Sequence, residues 1–282
     1  MLKIKLYTLL IVFSFILIKV VSAQEISDAE DKTNLYNTQV KVFHSTIIDD
    51  DFYIYISLPD GYEESVKKYP VLYVLDGDIS FGIATSIARY LQFGNTIPEL
   101  IIVGIGYGAL RKSKGNDRNR DYTISNNRNR PGSGGAPKFR KFLEEELISY
   151  IDDEFRTVPD DRTLNGYSLG GLFALYTLFT EPGLFNRYII GSPHLAWDNF
   201  RIFSVQENAF NSIDDINARV FISVGSDQSQ ETYFEPIDSM VTIIQEKGYP
   251  NLKLGTKVFD GGTHLICPPE ALTYGLVAVF SE

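Results

Sequence analysis

Residues 166–170 read Gly166-Tyr167-Ser168-Leu169-Gly170, a serine with glycine two residues before and two residues after it. The polar run RTLN precedes the motif and the apolar stretch LFALYTLF follows it, so the serine falls where a strand turns into a helix. Such a corner forces its apex residue into a strained backbone conformation, and glycines on either side leave room for it. The hydroxyl is then lifted clear of a sheet and set at a helix N-terminus, whose dipole favours developing negative charge. Nucleophilic attack on an acyl carbon is the chemistry this turn suits. A glycine turn of purely structural purpose is the competing reading; the strand-before, helix-after setting and Gly171, which permits close helix packing, favour the nucleophile.

A serine hydroxyl attacks at neutral pH only when a neighbouring base takes its proton. The chain has three histidines. His44 lies on an early strand and reads as a surface residue. His194 follows the strand after the serine, near the site but away from the usual position of the base. His264, in FDGGTH, follows the last strand, where a loop can reach back over Ser168. In this kind of turn the chain order is serine, acid, histidine, and only His264 leaves room for an acid in between.

The acid is expected after the strand RVFISV, where a carboxylate can fix the imidazole tautomer. Asp227 is the first candidate and Glu231 the second. Two preorganised N–H groups must also receive the oxyanion. The backbone N–H of Leu169, just after the nucleophile, supplies one, and that of Asp78, in the Asp76-Gly77-Asp78 turn after the third strand, is assigned the other.

These residues need a frame that brings their turns together. Alternation predicts strands near 39–48 and 52–58, joined at DDD. YPVLYVLDGD and ELIIVGIGY read as buried strands with a helix from Ser80 to Phe93 between them. Pro137 opens a helix running through KFRKFLEEELISYIDDEFR, whose apolar residues keep a helical period. The serine strand and helix, FNRYIIGSP, a variable stretch from His194 to Ala218, RVFISVGSD, a helix near 235–247, LKLGTKVFDGGTH and a last helix near 269–280 complete the order. Alternating strands and helices predict an α/β fold: one mainly parallel sheet, antiparallel at its start, with helices on both faces. In such a sheet the turns at the carboxyl ends of the strands share one side, and every candidate above lies in one of them.

The start of the chain reads differently. MLKIKLYTLLIVFSFILIKVVSAQ carries two early lysines, an apolar run and the small residues Val21 and Ala23, the layout of a cleaved secretory signal over residues 1–23. An uncleaved anchor is the alternative, but the run is short for a span. Residues 24–282 are then expected to form a single exported domain, periplasmic or secreted. The lone Cys267 has no partner for an internal disulfide. The formal charge of −10 argues against general binding to nucleic acid or to anionic membrane, and losing the leader's lysines makes it more negative. Against that background Arg111, Lys112, Lys114, Arg118, Arg120, Arg128 and Arg130 form a cationic loop interrupted only by Asp117 and Asp121. It is either a solvated loop or a rim that attracts anions to the site. No cofactor is implied, and the histidine spacing matches no metal site.

YPVLYVLDGD, RDYT, the run from KFRKFLEEEL to NGYSLGGLFALYTLF, LFNRYIIGSP and FDGGTHL together resemble the esterase-D-like branch of the α/β-hydrolases. Within that branch the chain is most similar to the bacterial ferric-siderophore esterases, which act on enterobactin and bacillibactin. The resemblance implies Ser168 as nucleophile, His264 as base, Asp78 and Leu169 as oxyanion donors, and Arg120-Asp121-Tyr122 lining the substrate cleft; Tyr167, His194 and Trp197 are further candidate substrate contacts by their place in the chain. Two departures stand out. SPHLAW puts His194 where the group commonly has a small residue, and Asp227-Gln228 stands where many members carry glutamate. The expected function is a serine esterase working through an acyl enzyme on a small-molecule ester, a ferric tris-catecholate being one anionic substrate the loop would suit. A carbohydrate or feruloyl esterase, to which tyrosines and Trp197 would offer sugar stacking, and a non-catalytic binding protein on a hydrolase scaffold are the alternatives.

Overall fold

A computed structural model describes residues 35–281. The leader expected at 1–23 lies outside the described residues. Eight strands, β1 (Thr38–Ser45), β2 (Asp50–Ser57), β3 (Tyr69–Val74), β4 (Ile101–Gly106), β5 (Thr157–Tyr167), β6 (Arg187–Gly191), β7 (Ala218–Gly225) and β8 (Leu252–Phe259), form one sheet in the order β1-β2-β4-β3-β5-β6-β7-β8. β1 pairs with β2, and β2 with β4, in antiparallel fashion; every other pairing is parallel. This is the α/β-hydrolase arrangement that the sequence pattern implies.

The apolar runs are continuous because both faces of the sheet are covered. Alternate residues of each inner strand go to opposite sides. Val71 and Tyr73 of β3, Tyr188 and Ile190 of β6, and Val220 and Ile222 of β7 join one core. Leu72, Val74, Ile189 and Phe221 join the other. Helices α1 (Gly77–Phe93) and α8 (Pro268–Phe280) cover the second face with Phe81, Ala84, Ala88, Leu272 and Leu276. The first face is covered by α3 (Ala136–Phe142), α4 (Ile148–Glu154), α5 (Leu169–Thr180), α6 (Trp197–Ser212) and α7 (Glu235–Lys247). A four-residue helix, α2 (Arg118–Asp121), lies within the cationic loop. Among the described residues no helix is long and apolar enough to cross a membrane.

Three elements differ from the sequence expectation. α1 begins at Gly77, directly after β3, because Asp76 takes a left-handed conformation (φ 55°) that turns the chain into the helix at once. The helix expected from Pro137 onward contains a π-helical turn at Leu143–Leu147 between α3 and α4. The variable stretch after His194 holds α6, whose buried residues after Trp197 are only Ile202, Gln206 and Ala209. One of those three is polar, so the apolar stripe is too narrow to show as periodicity.

Candidate active site

Ser168 occupies the corner between β5 and α5 with φ 59° and ψ −117°. For a non-glycine residue this region costs about 1–3 kcal/mol, and surrounding bonds hold it. Its N–H donates to Gly191 O at 3.0 Å, while its carbonyl accepts from Leu172 N and His194 N, each at 3.0 Å. Gly166 is obligatory here, since a Cβ would lie 2.2 Å from Gly170 O. Gly171 lets α5 approach β6, where a Cβ would meet Gly191 O at 2.9 Å. Gly170 has ordinary room, the nearest atom to its Cβ position being 3.4 Å away, so the motif's second glycine is the less demanding one.

His264, in the loop after β8, reaches back across the sheet edge. Its Nε2 lies 3.1 Å from Ser168 Oγ, and its Nδ1 lies 3.1 Å from Gln228 Oε1. The expected acids are elsewhere. Asp227 is exposed and accepts a bond from Ser226 Oγ at 3.0 Å, and Glu231 is exposed on the π-helical turn Gln230–Phe234. The reason lies in the turn after β7. Asp227 N donates to Gly262 O at 3.1 Å, and the chain turns so that Asp227 points outward and buried Gln228 inward. Gln228 is not among the expected acids because a neutral amide carries no acid signature; the departure at Asp227-Gln228, shortly after β7 ends at Gly225, is the clue the sequence offers.

A hydrogen-bond network fixes how the amide is oriented. Tyr167 donates its hydroxyl proton to His264 O at 2.9 Å, so its oxygen is free to accept, and Gln228 Nε2 approaches it at 3.5 Å. The same Nε2 donates to Ser192 Oγ at 2.8 Å. The amide carbonyl is therefore the atom facing the imidazole, and it can only accept. Nδ1 must carry the hydrogen, which leaves the Nε2 lone pair directed at the Ser168 hydroxyl. Gln228 sets the tautomer as a carboxylate would, without bringing a charge. Consistent with that, burial, His194 and Arg118 push His264 below the usual histidine range.

Leu169 and Asp78 both lie in the first turn of a helix, α5 and α1, where N–H groups have no intrahelical acceptor. Asp78 is held firmly: its carboxylate accepts from Tyr55 OH, Tyr107 N and Gly108 N at 2.7–2.8 Å. Ser168, His264, Tyr167, Asp76, Asp78 and Arg118 line one cleft of about 410 Å³. Ile79, Ile83, Leu110, Leu265 and Pro269 give it an apolar side.

The cationic loop divides. Arg118 enters the cleft wall and holds Asp76 through two bonds of 2.6 and 3.0 Å. Arg120, expected to touch substrate, instead bonds fully buried Asp121 at 2.7 and 2.9 Å and Asp50 at 2.8 Å, tying the loop to β2. Tyr122 is fully buried, and its hydroxyl oxygen accepts from Asp76 N at 3.0 Å, so it props the cleft from behind. Trp197 is buried too, with its indole nitrogen unpaired. His194 is half-buried against Trp197 and Tyr233; burial, Arg130 and Arg118 lower its pKa. Among the described residues no cluster of three or more His, Cys, Asp or Glu side chains could hold a metal ion.

The family model described as "Putative esterase" matches residues 45–246, a span from the end of β1 into α7. The chain belongs to this esterase family. It is 34% identical over 175 residues to the ferri-bacillibactin esterase BesA of Bacillus subtilis, an alignment that takes in 57% of this chain and 60% of that protein. The chain thus aligns with less than two thirds of that relative's length. Among solved structures it resembles the BES protein of Bacillus cereus (TM-score 0.81, 28% identity, 90% of this chain and 98% of that one). It also resembles an IroE-like serine hydrolase of Shewanella oneidensis (TM-score 0.76, 26% identity, 86% and 80%). This esterase-family chain carries the serine and histidine on the two turns that the fold brings together.

Proposed function

We propose that the protein is a serine carboxylesterase acting on siderophore-type esters. The observation that carries this reading is the 3.1 Å contact between Ser168 Oγ and His264 Nε2 at the strained turn. As Ser168 Oγ bonds to the ester carbonyl carbon, its proton passes to His264 Nε2. The carbonyl oxygen takes up negative charge between the Leu169 and Asp78 N–H groups. Collapse of the tetrahedral intermediate breaks the ester C–O bond, and the leaving alkoxide receives the proton from His264. Water then attacks the acyl enzyme by the same steps in reverse and frees Ser168.

Substrate class rests on similarity. BesA bears the name of a ferri-bacillibactin esterase. Inside the cleft Arg118 is paired with Asp76 and Asp78 lies beside them, so any attraction for an anionic ester would come from the rest of the cationic loop at the rim. The apolar side formed by Ile79, Ile83 and Leu265 would pack against a ring or acyl chain. The leader expected at 1–23 would export the enzyme, and N-terminal sequencing of protein from the producing cells should begin near Gln24. The function is tested by incubating the protein with ferric catecholate trilactones, feruloyl esters and p-nitrophenyl acetate and following product release. Preferential opening of the trilactone supports the reading; faster feruloyl cleavage would replace it with the plant-polymer esterase.

A further inference from the structure

His264 stands between two tyrosine rings. Tyr233, from the π-helical turn Gln230–Phe234, has its ring centroid 4.6 Å from that of the imidazole with the planes 34° apart. Tyr167 flanks the imidazole at 5.1 Å and 47°. Tyr233 is only partly buried, and among the described residues the aromatic groups its ring meets are both imidazoles, those of His264 and, at 5.4 Å, His194. The ring also packs against the main core, so it serves the fold while facing the two imidazoles.

The relay has a deficit that this placement meets. When His264 takes the serine proton it becomes a cation, yet its Nδ1 partner is an uncharged amide. Among the described residues no carboxylate hydrogen-bonds it; of the two carboxylates in the cleft, Asp76 is held by two bonds to Arg118 and Asp78 by Tyr55 OH, Tyr107 N and Gly108 N. The other charged or titratable groups facing the imidazole are Arg118 and His194, and both oppose a positive charge there. A phenol ring face within about 6 Å attracts a cation through its quadrupole, most strongly where water is excluded. The Tyr233 phenol remains neutral, since burial raises its pKa against the pull of Ser168 and Arg118, so the ring and not a phenolate is the available source of attraction.

Building on the serine-esterase reading, we propose that Tyr233 is a positioning residue of the relay, its ring face stabilising the His264 imidazolium in place of a triad carboxylate. The phenol hydroxyl lies on the side of the Ser168 side chain, and Tyr233→Phe separates its contribution from that of the ring. The test is the pH profile of kcat and kcat/KM on p-nitrophenyl acetate for wild type, Tyr233→Phe and Tyr233→Leu, each with and without Gln228→Glu. This small neutral ester keeps substrate contacts with Tyr233 to a minimum. Tyr233→Phe should stay within roughly threefold of wild type, whereas Tyr233→Leu should lower kcat roughly 5- to 30-fold with KM little changed. Its acid limb should move to lower pH, because a cation has lost an attraction. With Gln228→Glu present, the leucine substitution should cost less than roughly threefold, the carboxylate having taken over the charge.

An acid limb that moves to higher pH in Tyr233→Leu would mean that the ring only shields the imidazole from water, and the proposal fails. Equal losses in both backgrounds, or a loss confined to KM, overturn it as well. If the Gln228→Glu forms do not fold, the direction of the limb in Tyr233→Leu decides alone. Labelling Ser168 with a fluorophosphonate separates this inference from the reading beneath it: an unlabelled wild type sinks the serine-esterase assignment, whereas a labelled wild type with the contrary profile sinks only the role of Tyr233.

Discussion

The turn after β5 and the turn after β7 meet at opposite nitrogens of one imidazole, and they are built on different principles. At the first, backbone sterics do the positioning: Gly166 cannot bear a Cβ, Ser168 is forced to φ 59°, and the hydroxyl has one place to go. At the second, side chains decide: Gln228 faces His264 because Tyr167, Ser192 and a bond from Asp227 N to Gly262 O leave it no other orientation. In the proposed relay, a nucleophile set by the backbone tolerates no substitution of its type. A partner set by a hydrogen-bond network can exchange a carboxylate for an amide, keeping the tautomer and giving up the charge.

Substitutions at the two turns should therefore differ in size and in kind. Ser168→Ala should lower kcat on any ester substrate by roughly 10⁵-fold with an unchanged melting temperature, because the hydroxyl is the reacting group. Gln228→Ala should lower kcat roughly 100-fold, since the imidazole loses the bond that fixes its tautomer and orientation. An effect as large as that of Ser168→Ala would show that the two turns are equally indispensable, and the contrast would go.

Gln228→Glu sharpens the distinction through pH. His264 must be neutral to accept the serine proton, so the rise of kcat/KM with pH follows its pKa, which burial, His194 and Arg118 hold below the ordinary histidine value. A carboxylate at position 228 favours the imidazolium, raises that pKa and should move the rise to higher pH. A rise that stays in place would indicate that the new carboxylate does not face Nδ1. The smallest effect is expected for Asp227→Asn, within roughly twofold of wild-type kcat/KM, because this carboxylate is exposed and, among the described residues, bonds only to its neighbour Ser226.

The same contrast explains what the sequence could disclose. The corner at Gly166-Ser168 and the approach of His264 to it were legible because a tight corner demands glycine, and because chain order pointed to one histidine whose loop could reach the serine. The mainly parallel sheet was legible for a similar reason: strands buried on both faces read as unbroken apolar runs. Gln228 was not legible, since which of two adjacent turn residues points inward depends on contacts with the loop after β8. Arg120 and Tyr122 were misplaced by a related ambiguity. On α2, residues two apart point in nearly opposite directions, so Arg118 enters the cleft while Arg120 turns to Asp121 and Asp50. Spacing identified the cationic segment but not which guanidinium would be consumed in holding the loop.

The relay itself is tested most directly by treating the purified protein with diisopropyl fluorophosphate and mapping the adduct by peptide mass spectrometry. The account predicts one phosphoryl group, on Ser168, formed far more slowly in His264→Ala and absent from Ser168→Ala. A wild-type protein that remains unmodified, or an adduct on any other residue, would contradict it.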